Sequence, residues 1–79
     1  MTALGDRLKA LAAEKNVSTE NLAKAAGIDA NTVNEIFRGE IARPPDERLR
    51  GFAKALGVSF EDLLNLIPRG LREAGAALL

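Results

Sequence analysis

Apolar residues near the start of the chain recur at the spacing of one helix face. Positions i, i+4, i+7 and i+8 are occupied by Leu4, Leu8, Leu11 and Ala12. This spacing predicts an amphipathic helix from about 3 to 15. Asn16 and Val17 are then expected to form the first turn.

The next two segments predict short helices joined by a tight turn. Ser18 is a suitable N-cap for a helix of about 19–26, since its hydroxyl can accept a hydrogen bond from a free backbone N–H. Gly27 suits the left-handed conformation that ends a helix, and Asp29 can cap a third helix of about 30–38. The inward positions of the two helices are Leu22, Ala23, Ala26, Val33, Ile36 and Phe37.

A proline-containing loop separates these helices from two more. The segment 40–45 contains two adjacent prolines, which favour extended backbone before a new helix of about 46–56. Ser59 caps a fifth helix with apolar residues at helical spacing, and Pro68 interrupts it. The residues 71–79 could form a short sixth helix if it has a surface to pack against.

Length and composition limit the architecture to one small core. The chain has 79 residues, 47% of them hydrophobic and 4% aromatic, which is typical of a single all-helical domain. We expect a helix-turn-helix domain over 1–67 and a C-terminal apolar tail or short helix over 68–79.

The missing residue types argue against catalysis and metal binding. The sequence has no cysteine and no histidine, so it lacks disulfides, thiolate nucleophiles and the usual zinc ligands. Its adjacent acids, at 46–47 and 61–62, stand at predicted helix N-termini, where they stabilise the helix dipole. We therefore expect no enzyme, catalytic residue, metal, cofactor or small-molecule substrate. Residues 1–11 contain no long apolar run, so no signal peptide or membrane span is predicted.

The stretch from Thr19 to Arg38 carries a recognisable pattern. The pattern has a small residue in the second helix, a glycine at the turn, an apolar residue directly after it, and two branched apolar residues in the third helix. In this order the residues are Ala23, Gly27, Ile28, Val33 and Ile36. Together with the proline loop and the run 52–59, this pattern resembles the lambda-repressor-like family, also called the Cro/repressor or XRE type. The resemblance implies a compact five-helix all-α domain with a helix-turn-helix unit at 19–38, in a cytoplasmic bacterial or phage protein.

The resemblance further implies sequence-specific binding of double-stranded DNA by a transcriptional regulator of the phage-repressor type. The helix 30–38 would lie in the major groove. Asn31 and Asn34 would then read adenine, and Glu35 could accept a hydrogen bond from cytosine N4. Thr32 could contact a phosphate or a thymine methyl group, and Ala30 offers a small apolar contact where family members often carry glutamine.

Contacts to the DNA backbone are implied at four further positions. Thr19, in place of a frequent glutamine, begins the second helix, Lys24 follows on the same helix, and Arg38 and Arg43 flank the next loop. The charge of this region opposes DNA binding, because residues 18–43 hold three cations and four anions and the whole chain holds eleven of each. We therefore expect weak, salt-sensitive binding by a monomer.

Two further expectations follow from this neutrality. A homodimer would double the contacts, and its interface would use apolar residues of the C-terminal region: Leu64, Leu66, Ile67, Leu71, Leu78 and Leu79. The alternative function is a protein-interaction module with a helix-turn-helix fold that does not bind DNA, as a domain of a longer phage or bacterial protein. DNA binding predicts cations around the exposed face of the third helix, and the alternative predicts an apolar patch.

Overall fold

A computed structural model describes residues 2–71, and helices are the only regular elements among them. The five helices are α1 (Ala3–Glu14), α2 (Thr19–Ala26), α3 (Ala30–Phe37), α4 (Asp46–Leu56) and α5 (Phe60–Leu64). Residues 69–71 are helical as well. The all-α prediction is confirmed, with α1 and α3 each one residue shorter than the sequence pattern indicated.

Four helices begin at a side-chain cap. Ser18, Asp29 and Ser59 accept hydrogen bonds from the N–H groups three residues on, at 3.1, 2.8 and 3.0 Å, as predicted. Thr2 does the same for Gly5 at 2.9 Å, a cap that the sequence analysis missed. Each bond satisfies a backbone donor that the first helical turn leaves unpaired.

The turn between α2 and α3 depends on Gly27. Its φ of 70° lies in the left-handed region, which residues other than glycine adopt with strain because of their Cβ. The next N–H, that of Ile28, donates to the carbonyl of Ala23 at 2.9 Å and so closes the end of α2. Asn16 also has a positive φ, 60°, so the turn after α1 is left-handed too.

The core is enclosed by all five helices, with α2 packed on α3 and α4, α1 packed on α3, and α5 packed on α4. It contains Leu4, Leu8, Leu11, Leu22, Val33, Ile36, Leu49, Phe52, Leu56, Leu63 and Ile67, each no more than 3% exposed. Helix α4 lies close to α2 at Gly51, where a Cβ would lie 2.5 Å from the carbonyl oxygen of Ala25. This contact brings the helix-turn-helix unit against the rest of the domain.

The C-terminal part of the described chain corrects one prediction. Ile67 is 1% exposed and belongs to the core of its own domain, so its side chain is not available for the dimer interface predicted from the sequence. Leu64 and Leu66 are half-buried, and Leu71 is exposed. Leu78, Leu79 and most of the predicted sixth helix lie outside the described residues.

Candidate nucleic-acid interface

Helix α3 is held in place by its inner face. Val33 and Ile36 are fully buried, and they pack in one cluster with Leu22 and Ala23 of α2. Helix α1 crosses the end of α3 at Gly5, where a Cβ would lie 2.5 Å from the carbonyl oxygen of Ile36. Because these contacts occupy one side of α3, its other side is presented to solvent.

The solvent side of α3 carries the two predicted base-reading amides. Asn31 and Asn34 are both exposed, and their spacing of three residues places them on neighbouring turns of the same face. Ala30 and Glu35 are half-buried at the edges of this face. The structure therefore groups four of the predicted contact residues on one helix surface.

Thr32 is committed to the cap of α3. Its backbone N–H and its hydroxyl both donate to Oδ1 of Asp29, each at 2.8 Å. These two hydrogen bonds hold the pKa of the Asp29 carboxyl below its usual value. The bond from the backbone N–H has the larger effect, the bond from the hydroxyl comes next, and the charge of Arg48 contributes less. Because the hydroxyl proton is used in this way, Thr32 has its methyl group left for DNA and no free donor for a phosphate.

The four predicted backbone-contact residues differ in how free they are. Thr19 is half-buried and Lys24 is exposed. Arg38 is exposed, but its guanidinium is paired with Glu40. Arg43 is only half-exposed, since its guanidinium donates to the carbonyl of Pro44 and to Asp46, both at 2.7 Å.

Arg43 contributes to the structure of the loop before α4. Its salt bridge to Asp46 and its bond to Pro44 tie residues 43–46 together, and Pro44 is fully buried beneath. Its Nε is buried and has no hydrogen-bond partner among the described residues. The sequence analysis assigned Arg43 a contact to the DNA backbone, and the structure shows that it also holds the loop before α4 together.

A cleft of about 480 Å³ brings three predicted residues together with one that was missed. Thr19, Asn34 and Arg38 line it with Lys9 of α1. Ala12, Val17 and Phe37 form its apolar part. Lys9 is not one of the apolar positions that predict α1, and only the packing of α1 against α3 shows that its side of the helix adjoins α3. Lys24, Asn31 and Arg43 are not part of the cleft.

The surface of α2 and α3 bears on the choice between DNA binding, which predicts cations, and a protein-interaction module, which predicts an apolar patch. Leu71 is the one large apolar residue classed as exposed within residues 2–71, so α2 and α3 carry no large apolar patch. The cations Lys24 and Arg38 do border this unit, although Glu40 neutralises one of them. No cluster of three potential metal-ligating residues occurs in the same part of the chain.

Comparison with known proteins decides the family. A model of the Cro/C1-type helix-turn-helix DNA-binding domain matches residues 7–69. The chain belongs to this family. The recognition made from Ala23, Gly27, Ile28, Val33 and Ile36 is thus confirmed, and the domain is a DNA-binding domain of the Cro/C1 type.

Two solved structures have the same fold as this Cro/C1-type domain. Both are crystal structures of the clp gene regulator ClgR from Corynebacterium glutamicum. One is 32% identical, covers 84% of this chain and 84% of that chain, and superposes with a TM-score of 0.69. The other is 30% identical, covers 98% of this chain and 83% of that chain, and has a TM-score of 0.73. No curated protein matches the sequence.

The domain's helices are short. Within residues 2–71, none combines the length and the apolar character needed to cross a membrane.

Proposed function

We propose that this Cro/C1-type domain binds double-stranded DNA sequence-specifically as a transcriptional regulator of the phage-repressor type. The helix 30–38 would enter the major groove, which is wide enough to admit an α-helix. The observation that carries the proposal is the pair of exposed amides, Asn31 and Asn34, on a helix whose opposite face is fully buried. A rigid helix with free amides on its outer face is what base reading requires.

Base recognition would involve the outer face of α3. The side-chain amides of Asn31 and Asn34 can each donate through Nδ2 to N7 of adenine and accept through Oδ1 from its N6 amino group, which is the pairing that selects adenine. Glu35 can accept from N4 of cytosine. Ala30 and the methyl group of Thr32 would contact thymine methyl groups.

Backbone contacts would come from Thr19, Lys24, Arg38 and Arg43. Arg38 would exchange Glu40 for a phosphate, and since both side chains are more than half exposed, that pair is weak in water and readily exchanged. Arg43 is held more firmly, so its phosphate contact would use the part of its guanidinium that faces solvent. The acids near these cations reduce the attraction to phosphates, and we expect weak, salt-sensitive binding by the monomer.

A homodimer would supply the missing affinity. Two copies bind two half-sites about one helical turn of DNA apart, which doubles the contacts and favours a two-fold symmetric site. Leu71 is exposed and Leu64 and Leu66 are half-buried, so the C-terminal part of the domain offers apolar surface for this contact. Sedimentation velocity with and without DNA checks this part of the proposal, and a monomer on DNA at saturation would contradict it.

The regulatory role rests on the similarity to ClgR, a clp gene regulator. For the present chain, a role in transcription is inferred from about one third sequence identity over most of its length. In this family the helix-turn-helix unit is a DNA-binding unit, and the proposed function involves no catalytic step.

The first test is a titration of the full chain with random duplex DNA at low salt, followed by backbone amide shifts in NMR. We expect the amides of Thr19, Asn31, Asn34 and Arg38 to shift together, and the shifts to fade as salt is added. The amides of α5 serve as an internal control. If nothing on α2 or α3 shifts at low salt, the DNA proposal fails, and the alternative of a protein-interaction module becomes the better one.

A further inference from the structure

The cleft between α1, the start of α2 and the end of α3 differs in charge from the surface around it. Among the described residues, its lining includes two cations, Lys9 and Arg38, and no acid. By contrast, residues 18–43 as a whole carry more anions than cations. The cleft is thus a local cationic site in a region of net negative charge, and an anion there meets less repulsion than elsewhere on α2 and α3.

Lys9 is the cation of this cleft that is free to bind. Arg38 is paired with Glu40, whereas Lys9 is exposed and makes no salt bridge within residues 2–71. Its ammonium group is a mobile point charge on a four-carbon stem, a group that suits a phosphate better than the fixed pattern of a base edge. The hydroxyl of Thr19 and the amide of Asn34 provide further polar groups on the same lining.

We propose that Lys9 extends the DNA interface beyond the helix-turn-helix unit onto α1, by binding a backbone phosphate of the duplex at this cleft. This inference rests on the proposed function. It offsets part of the unfavourable charge of residues 18–43, because Lys9 lies outside that segment in sequence but adjoins it in space. A contact to a phosphate is independent of base sequence, so Lys9 raises affinity for all duplexes alike.

The test compares Lys9→Gln with Lys15→Gln in the full chain. Both changes remove one positive charge from the surface of the same helix region. Lys15 does not line the cleft, and its Nζ lies 4.0 Å from the place a Cβ on Gly57 would occupy, so it points to the end of α4. Binding is measured by fluorescence anisotropy with random duplex DNA over a series of salt concentrations, and thermal melting checks that both variants remain folded.

For Lys9→Gln we expect binding weaker by roughly 5- to 10-fold at about 0.1 M salt, with the slope of log K against log salt less steep by about 0.9. Lys15→Gln should change both quantities much less. Equal effects of the two substitutions would overturn the role of Lys9 while leaving DNA binding intact. A wild-type chain with no salt-sensitive binding would overturn the proposed function as well, so the two failures are distinguishable.

A second arm separates duplex DNA from free phosphate. Inorganic phosphate, added at the same ionic strength as a chloride control, should leave the amides around Lys9 and Thr19 unshifted at concentrations where DNA shifts them. Shifts with inorganic phosphate but none with DNA would mean that the cleft binds a small anion, which would overturn the inference.

Discussion

The carboxylate of Asp29 accepts two hydrogen bonds from one residue, the backbone N–H and the hydroxyl of Thr32, each at 2.8 Å. The pair fixes the first turn of α3, the helix that we propose to enter the major groove. It also determines the χ1 angle of Thr32, because the hydroxyl has to face Asp29. One cap therefore sets both where the recognition helix begins and which part of Thr32 faces the DNA.

This cap makes stability depend on pH in a defined direction. The pKa of Asp29 is lower in the folded chain than its reference value of 3.8, so the ionised form is the one that folding favours. The stabilisation is complete above that reference value and is lost as the pH falls through the lower, folded pKa. We expect the stability difference between wild type and Asp29→Asn to be constant near neutral pH and to decline below about pH 4.

Urea unfolding between pH 2.5 and 7 measures that difference. Thr32→Val separates the two hydrogen bonds, since it removes the hydroxyl and keeps the backbone N–H, the larger cause of the lowered pKa. The variant should retain most of the pH dependence. A difference between wild type and Asp29→Asn that does not change with pH would contradict this account of the cap.

Removing either exposed amide of α3 should weaken discrimination more than general binding. After a preferred site has been selected from random duplexes, Asn31→Ala or Asn34→Ala should cost about 1–3 kcal/mol of preference for that site over unrelated DNA. Affinity for unrelated DNA should change little, because neither side chain carries charge. Asn21→Ala, on the exposed side of α2, is the matched control, and a loss of preference there as large as at α3 would contradict base reading by these amides.

Removing the acid beside Arg38 should strengthen DNA binding. Glu40→Gln keeps the size of the side chain, takes away a negative charge near the phosphates and frees Arg38 from its partner. We expect affinity for duplex DNA to rise by roughly 5- to 10-fold at low salt, with the gain shrinking as salt screens the charges. Folding stability should change little, because Arg38 and Glu40 are about 60% and 56% exposed and such pairs contribute little.

Anisotropy titrations at several salt concentrations measure this gain. Glu61→Gln, on α5, removes an equal charge from an exposed position outside the helix-turn-helix unit. If Glu61→Gln strengthens binding as much as Glu40→Gln, the gain reflects net charge alone and the local explanation is wrong.

Gly51→Ala should destabilise the domain through the contact of α4 with α2. The added Cβ would lie 2.5 Å from the carbonyl oxygen of Ala25 and 2.7 Å from the Cα of Ala26, both backbone atoms that can move only with the helix. We expect a loss of about 1–3 kcal/mol in the free energy of unfolding. At an exposed helix position the same substitution would instead raise stability by about 1 kcal/mol.

Gly70→Ala is the comparison for that experiment. Gly70 is in the helical residues 69–71, and within residues 2–71 no atom lies within 4 Å of the position of a Cβ there, so the same change should leave stability unchanged or raise it. Urea unfolding of both variants decides the matter. If Gly51→Ala and Gly70→Ala change the free energy of unfolding equally, the close contact of α4 with α2 at Gly51 does not limit the size of this residue, and the prediction is wrong.

The helices and their ends could be predicted from the sequence because their causes are local. Ser18, Asp29 and Ser59 act on N–H groups three residues away, and Gly27 adopts its φ within a single turn. The inward residues Val33 and Ile36 follow from helical spacing. The ion pairs were harder to foresee, since Arg38 and Arg43 each have several acids within reach along the chain and only the path of the loop selects Glu40 and Asp46.

By itself, the sequence determined the fold class, the family and the outer face of α3. Those depend on short-range spacing, on turn chemistry and on which residues can be buried. The tertiary structure alone decided that Ile67 is core and not interface, that Arg43 is held by its own loop, and that Lys9 adjoins Thr19 and Arg38. The physical reason is that these relationships depend on the angles at which α1, α3 and α5 pack, and helical periodicity fixes which face of a helix is apolar but not which neighbour its polar face meets.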